Sequence, residues 1–245
     1  MPPKRSRSVG LNPRDARSAF LNIPYYDKFE SLYLAFIAGL IAFGLKPRAA
    51  LEIPGSQRRL NRILGLMGRC KYSFHDLSCV ELDSKKPRTP RFNMPFELGL
   101  AVARATVRGS PHKWYVFESR KYRAEKSLSD INGTEIYIHE GKPVGVLREL
   151  SNALVRPGRQ PNVDELKAIY QELKDYSRTL KNKLAAESLF ATRPFRDLVV
   201  AAGLIAARHR ARARATAHSP ANSRSAGVPG YSGRGLGRDA GSEDS

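Results

Sequence analysis

The stretch Thr89-Pro-Arg-Phe-Asn-Met-Pro-Phe-Glu-Leu-Gly-Leu-Ala101 guides the interpretation of the whole chain. It predicts the start of a helix over about residues 93–107, with the carboxylate of Glu97 in the first turn of that helix. Upstream, residues 70–77 are typical of a buried strand, and Asp76 lies near its end. Because an α/β fold can bring a strand end and a helix start together, Glu97 and Asp76 are the leading catalytic candidates.

Segments typical of strands and helices alternate along the chain around this stretch. The predicted strands cover residues 19–23, 48–53, 70–77, 113–118 and 135–139. Such alternation indicates a parallel sheet with helices on both faces, and right-handed crossovers leave few topologies. We expect a flavodoxin-like three-layer α/β domain with a five-stranded parallel sheet in the order 2-1-3-4-5.

The composition changes along the chain in a way that predicts four regions. They are a flexible basic N-terminus (1–18), the α/β domain (19–156), a helical C-terminal extension (159–207) and a disordered Arg/Gly/Ser-rich tail (208–245). The extension contains two predicted helices, over about residues 162–190 and 195–207. These helices either pack on the α/β domain or form a contact between two copies of the chain.

The net charge of +19 is unusually high for 245 residues. It is +4 within residues 1–19 (five Lys/Arg, one acid) and +4 within residues 207–245 (seven Arg, three acids), so the body carries 19 − 4 − 4 = +11. Such an excess favours anionic partners such as nucleotides, RNA or DNA. A basic protein without any nucleic-acid role remains the alternative.

Cysteine content and apolar runs indicate the compartment. Cys70 and Cys79 are the only cysteines and form no CxxC pair, which argues against a disulfide framework or a zinc site and fits the reducing cytoplasm. The apolar runs at residues 31–45 and 198–207 are shorter than the roughly 18–20 residues of a membrane span. We therefore expect buried helices, a cytoplasmic protein and no membrane partner.

Polar side chains follow the predicted strand ends, where parallel α/β sheets bind their ligands. The substrate-binding candidates at these positions are Asn22, Tyr26, Asp27, Ser78, Asn93 and Arg59. Strands one and three are neighbours in the expected order. Four side chains are therefore predicted to converge on one crevice: Asn22, Asp27, Asp76 and Glu97.

Two carboxylates in one crevice suit chemistry at a glycosidic carbon. One can attack or stabilise the developing oxocarbenium ion, while the other orients the sugar or shares a proton. An asparagine beside them can hold a ribose hydroxyl, and no metal is needed. The chain contains no Walker loop, kinase motif set, nucleophile elbow or HExxH, which argues against most ATPase, kinase, hydrolase and metalloprotease classes.

Each candidate also has a structural interpretation. Glu97 suits a solvated position favoured by the helix dipole, Asp76 suits a turn cap after its strand, and Asp27 suits a helix N-cap. The two tyrosines after the first strand suit core packing as well as base stacking. The arginine cluster that contains Arg59 suits a solvated basic face as well as phosphate binding.

Three motifs together resemble a known superfamily. They are Phe20-Leu-Asn-Ile-Pro-Tyr-Tyr-Asp27, His75-Asp-Leu-Ser78 and Arg91-Phe-Asn-Met-Pro-Phe-Glu-Leu-Gly-Leu-Ala101. They are similar to the nucleoside 2-deoxyribosyltransferase and TIR-like superfamily, and more closely to bacterial TIR-like nucleotide-binding proteins. The resemblance covers about residues 18–150, and the Glu-Leu-Gly core is its specific part.

The resemblance implies a flavodoxin-like fold and roles for two residues. Glu97 would be the counterpart of the nucleophile of the transferases and of the essential glutamate of NAD-cleaving TIR enzymes. Asp76 would match the aspartate that holds the base or sugar. The chain carries Lys85-Lys-Pro-Arg88 and lacks the Asp-x-Gly-Thr of typical transferases. This departure favours an anionic nucleotide over a free nucleoside. Many such proteins are thought to act in anti-phage defence.

Three functional hypotheses follow. The first is an enzyme that cleaves or transfers at the N-glycosidic bond of NAD or another nucleotide, which serves as substrate while no cofactor is needed. The second is a nucleotide sensor without turnover that signals through the C-terminal helices, with homo-oligomerisation through them. The third is a basic nucleic-acid-binding protein, whose affinity would fall steeply with salt.

Overall fold

The computed structural model describes residues 16–52, 58–79, 86–155 and 160–218. Several expectations fall outside these ranges: most of the basic N-terminus, the turn at Pro54-Gly55-Ser56, Lys85 of the basic loop, and the tail beyond His218.

Five strands form one parallel sheet, and they follow the order that the sequence predicted. They are β1 (Ser18–Asn22), β2 (Lys46–Arg48), β3 (Tyr72–Asp76), β4 (Lys113–Glu118) and β5 (Ile136–Ile138). The order is β2-β1-β3-β4-β5, and every neighbouring pair is parallel. The flavodoxin-like α/β prediction is confirmed.

Within the described ranges, seven α-helices accompany the sheet. They are α1 (Glu30–Ala42), α2 (Arg59–Gly68), α3 (Asn93–Thr106), α4 (Arg123–Ser127), α5 (Pro143–Ala153), α6 (Val163–Leu184) and α7 (Thr192–His218). Alternate strand residues contact opposite layers, as the pleat requires. Leu21, Phe74 and Phe117 belong to the core shared with α1 and α5, whereas Phe20 packs with α2.

Helix α1 is apolar around its whole circumference, and every residue from Leu32 to Ile41 is buried. A helix of this kind needs partners on all sides. The sheet and α5 cover one side, and the C-terminal helices α6 and α7 cover the rest, so that Leu173 of α6 and Leu198 of α7 join the same core. Of the two expectations for the C-terminal extension, packing on the α/β domain is what the structure has.

Several element boundaries differ from the prediction, and helix α6 ends at Leu184 rather than at about residue 190. Strand β2 ends at Arg48 rather than at residue 53, because a 3₁₀ turn over Ala50–Glu52 follows it directly. The Glu52 carboxylate holds this turn by accepting from Arg48 Nε at 2.9 and 3.0 Å and from the Ala49 amide at 3.0 Å.

Helix α7 continues to His218, so residues 208–218 are helical and do not belong to a disordered tail. The alternation of alanine and arginine explains the extension, because both residues have high helix propensity. No helix within the described ranges is long and apolar enough to cross a membrane.

Replacing Leu173 by alanine should test whether the C-terminal helices are part of one folding unit. Leu173 is fully buried in the core that contains α1, so Leu173→Ala should lower the free energy of unfolding by about 2–5 kcal/mol. The matched control is Leu204→Ala on α7, where the side chain is 65% exposed and the expected change is about 0.5 kcal/mol or less. Urea denaturation followed by circular dichroism measures both, and equal effects would contradict a shared core.

Candidate active site

A cavity of about 140 Å³ lies at the carboxyl ends of β1 and β3. The chain leaves β1 toward β2 on one side and returns to β3 on the other, so this edge is the switch point where parallel α/β sheets bind ligands. The volume is smaller than the roughly 300–1,000 Å³ of a complete small-molecule site. It therefore suits one ring or sugar of a larger ligand.

Five of the eight residues proposed from the sequence line this cavity, and three do not. The lining includes Asn22, Tyr26, Arg59, Asn93 and Glu97. Asp76, Asp27 and Ser78 are not part of it. The structure thus brings Asn22 and Glu97 together as expected, whereas the predicted convergence of Asp27 and Asp76 on the same crevice is wrong.

Glu97 is the acidic residue in the described lining of the cavity, and it is only 5% exposed. It is the fifth residue of α3, so it begins the second turn of the helix rather than lying in the first. The helix starts at Asn93, four residues earlier, and one turn takes 3.6 residues, so Glu97 lies beyond the first turn. The buried position also excludes the solvated interpretation.

Burial controls the ionisation of Glu97. The loss of water around the carboxylate raises its pKa from 4.5 to about 7, and the positive charge of Arg59 partly opposes this rise. Among the described residues, no hydrogen-bond donor contacts the Glu97 carboxylate. Near neutral pH the side chain is therefore present in both its charged and its neutral form.

Asn22 fixes the start of α3 relative to the sheet. Its side-chain nitrogen donates to the Met94 carbonyl at 3.1 Å and to His75 Nδ1 at 3.0 Å. Burial lowers the pKa of His75 to about 3, so the imidazole is neutral and accepts at Nδ1. Since both amide hydrogens of Asn22 are used in this way, only its carbonyl oxygen remains to accept from a sugar hydroxyl.

Asp76 contacts the loop after β3 and does not line the cavity. Its Oδ1 accepts from the Ser78 amide at 2.8 Å, and its Oδ2 lies 3.5 Å from Nε2 of His139. Ser78 Oγ lies 3.2 Å from the same nitrogen, so Ser78 belongs to this buried cluster as well. Successive strand residues point to opposite faces, which places Asp76 on the face away from His75 and α3.

Asp27 is exposed and opens a 3₁₀ turn, Asp27–Phe29, ahead of α1. The N-cap residue of α1 is Phe29, and no side chain caps that helix. The predicted N-cap role of Asp27 is therefore wrong, because the intervening 3₁₀ turn moves the N-cap position two residues downstream, to Phe29.

Two arginines lie at the mouth of the cavity. Arg59 is the first residue of α2, and Arg91 precedes α3 by two residues. The guanidinium carbon of Arg91 lies 4.4 Å from the ring centroid of Tyr26, a cation–π geometry. The sequence analysis did not select Arg91 as a site residue, although it lies in the stretch that opens α3. Its position immediately before a helix that starts at a strand-end crevice was the available signal.

The aromatic wall of the cavity is supported by the C-terminal extension. The ring of Tyr25 lies 5.6 Å from that of Phe190, in the connection between α6 and α7. Nearby, Thr192 Oγ1 donates to the carbonyl of Leu51, next to the lining residue Ala50. Burial raises the pKa of Tyr25 well above its usual range, and the nearby Glu97 carboxylate adds a smaller increase. The Tyr25 hydroxyl therefore stays protonated.

Comparison with family models, with curated proteins and with solved structures finds no match for this chain.

Replacing Asn22 by alanine should loosen the attachment of α3 to the sheet. The change removes the donor to buried His75 Nδ1 and to the Met94 carbonyl, and we expect a loss of roughly 1–3 kcal/mol in the free energy of unfolding. Asn152→Ala, at an exposed position of α5, is the matched control and should be nearly neutral. Denaturant titration measures the free energy of unfolding of both variants. An unchanged value for Asn22→Ala would contradict the anchoring role.

The stability of the protein should depend on pH through Glu97. Its pKa is raised in the folded state, so the folded state binds this proton more tightly, and the resulting stabilisation is lost as pH rises from about 4.5 through about 7. Glu97→Gln removes the cost of the buried charge. We expect this variant to be more stable than wild type at pH 8 by on the order of 2–3 kcal/mol, and about equal at pH 4.5.

Urea titrations of both proteins across this pH range measure the difference. The exposed Glu187 provides the control, because Glu187→Gln should leave the pH dependence unchanged. A constant difference between Glu97→Gln and wild type at all pH values would show that Glu97 does not titrate as described.

Proposed function

We propose that this protein is an enzyme that hydrolyses or transfers at the N-glycosidic bond of a nucleotide such as NAD, with Glu97 as nucleophile or as the carboxylate that stabilises the oxocarbenium ion. The observation that carries the proposal is the Glu97 side chain, which lines a cavity at the switch point of the sheet, is buried, and has no hydrogen-bond donor among the described residues. Proteins rarely bury a carboxylate in this way without a function.

The chemistry needs few groups. The bond between the ribose C1′ and the base nitrogen breaks, and the base leaves with the electron pair. The Glu97 carboxylate then either bonds to C1′ or stabilises its positive charge. A water or acceptor hydroxyl next adds to C1′, the bond to Glu97 breaks where it has formed and returns the carboxylate, and the proton of the incoming hydroxyl passes to solvent. A substrate with a cationic base would bring positive charge to Glu97 and lower its pKa, which favours the reactive carboxylate form.

The other lining residues suit the two ends of such a substrate. Tyr25 and Tyr26 offer aromatic surface to a ring, while Asn93 and the carbonyl oxygen of Asn22 offer polar contacts to a ribose. Asp76 has no contact with the substrate in this proposal, because its Oδ1 accepts from the Ser78 amide and the residue lies outside the cavity lining, beside His139. We place the enzyme in the cytoplasm, which the two buried cysteine thiols, Cys70 and Cys79, suit.

Mass spectrometry after incubation with a nucleotide mixture tests the activity. Purified full-length protein at high concentration is mixed with NAD, NADP, nucleotides and deoxynucleosides. We expect wild type to release a free base, and Glu97→Gln to lose at least about 100-fold in rate, since it lacks the charge that stabilises C1′. Release of the base identifies the substrate at the same time.

Glu187→Gln provides the matched control, since it makes the same chemical change at an exposed position that does not line the cavity. This variant should retain the wild-type rate. Full activity of Glu97→Gln on a confirmed substrate would refute the proposal.

A nucleotide sensor without turnover is the second candidate, and one contact favours it. Tyr25 touches both the cavity and Phe190, so occupancy of the cavity can be transmitted to the connection between α6 and α7. In the same experiment, a nucleotide that is retained by the protein while no product forms would favour the sensor over the enzyme.

A further inference from the structure

The cavity that holds Glu97 opens beside two arginines without acidic partners. Arg59 and Arg91 both line it and both are exposed. Neither forms a hydrogen bond or an ion pair with a residue in the described ranges, whereas Arg48 and Arg123 are paired with carboxylates. Two uncommitted guanidinium groups at one opening attract an anion.

Arg91 is held in a geometry that leaves its donors available. Its guanidinium lies against the ring of Tyr26, with 4.4 Å from the central carbon to the ring centroid. This contact places the cation over the ring, and no described residue accepts a hydrogen bond from the N–H donors along the edge of the guanidinium. Such an edge matches the oxygen pairs of a phosphate.

Arg59 occupies a position where a positive charge is unfavourable. It is the first residue of α2, a ten-residue helix whose N-cap residue, Arg58, makes no side-chain cap and whose first turn contains no acid. The N-terminus of a helix is already the positive end of its dipole, so a cation there is unfavourable. A bound anion would remove this conflict and contact the free amides of the first turn.

Glu97 determines which way a ligand enters. Its buried carboxylate repels an anion from the interior of the cavity, so a phosphate belongs at the mouth and a neutral or cationic ring belongs inside. The cavity volume of about 140 Å³ leads to the same orientation, because it accommodates one end of a nucleotide only.

We infer that Arg59, Arg91 and the N-terminus of α2 form a phosphate subsite at the mouth of the cavity, and that the substrate is a nucleoside 5′-phosphate or a dinucleotide rather than a free nucleoside. This inference rests on the proposed function, because it assigns the sugar and base to the cavity beside Glu97. It adds Arg91 as a specificity-determining residue.

Calorimetry with the full chain tests the subsite without requiring turnover. The probes are AMP, GMP, CMP, UMP and nicotinamide mononucleotide, each beside its free nucleoside, together with inorganic phosphate alone. We expect at least one 5′-phosphate to bind roughly tenfold or more tightly than its nucleoside. Arg59→Ala and Arg91→Ala should each remove most of this preference.

Arg88→Ala is the matched control, because Arg88 is exposed in the same segment, three residues before Arg91, and does not line the cavity. It should keep the wild-type preference, and circular dichroism should show that all three variants are folded. Equal binding of nucleotides and nucleosides, failure of every probe to bind, or a preference that survives both Arg59→Ala and Arg91→Ala would overturn the inference. Binding of inorganic phosphate alone, without a preference for any nucleotide, would also overturn it.

The two proposals fail in different ways. If wild type shows the arginine-dependent preference and releases no base, the phosphate subsite stands and the enzymatic function is wrong. If wild type cleaves nucleosides and nucleotides with equal kcat/KM and the arginine variants do not change this ratio, the function stands and the subsite is wrong.

Discussion

The burial of helix α1 on every side is the constraint on which the rest of the structure depends. An α/β domain that ended with α5 would leave part of this helix facing water, although no residue from Leu32 to Ile41 is polar enough to suit exposure except the hydroxyl of Tyr33. Helices α6 and α7 supply the missing cover. The C-terminal extension is therefore part of the hydrophobic core, and the free energy of burying α1 holds it in place.

The same packing connects the core to the cavity. Tyr33 on α1 lies 5.0 Å from Phe190 and 6.3 Å from Phe195 by ring centroids, so it contacts the connection between α6 and α7 as well as the start of α7. Phe190 in turn touches Tyr25, which lines the cavity. A continuous row of aromatic rings thus joins the interior of the C-terminal extension to the candidate site, and displacement of these helices would change the cavity wall.

The sequence was sufficient for the sheet order and for the placement of Glu97, but not for Asp76. Periodicity and chain reversals identify strands and helices, and crossover handedness then restricts the order of the sheet. The face on which Asp76 lies depends on strand register. The register pairs Asn22 with His75 on the α3 side of the sheet, so Asp76, the next residue, points away from α3. Register and loop conformation are tertiary properties, and for the same reason the contact between Arg91 and Tyr26 was not predictable.

Two buried glutamates show what is unusual about the cavity. Glu118, at the end of β4, is fully buried and accepts hydrogen bonds from the Ser119 amide at 2.6 Å and from Arg123 Nε at 3.0 Å. Glu97, near the start of α3, is almost as buried and has no donor in the described part of the chain. The fold thus gives one buried carboxylate several donors and the other none within the described residues, and Arg59 lowers the pKa of Glu97 without forming an ion pair with it. Keeping the charges of Glu97 and Arg59 apart in this way costs stability in the free protein. A ligand with a cationic or polar end inside the cavity and an anionic end at its mouth would recover this stability.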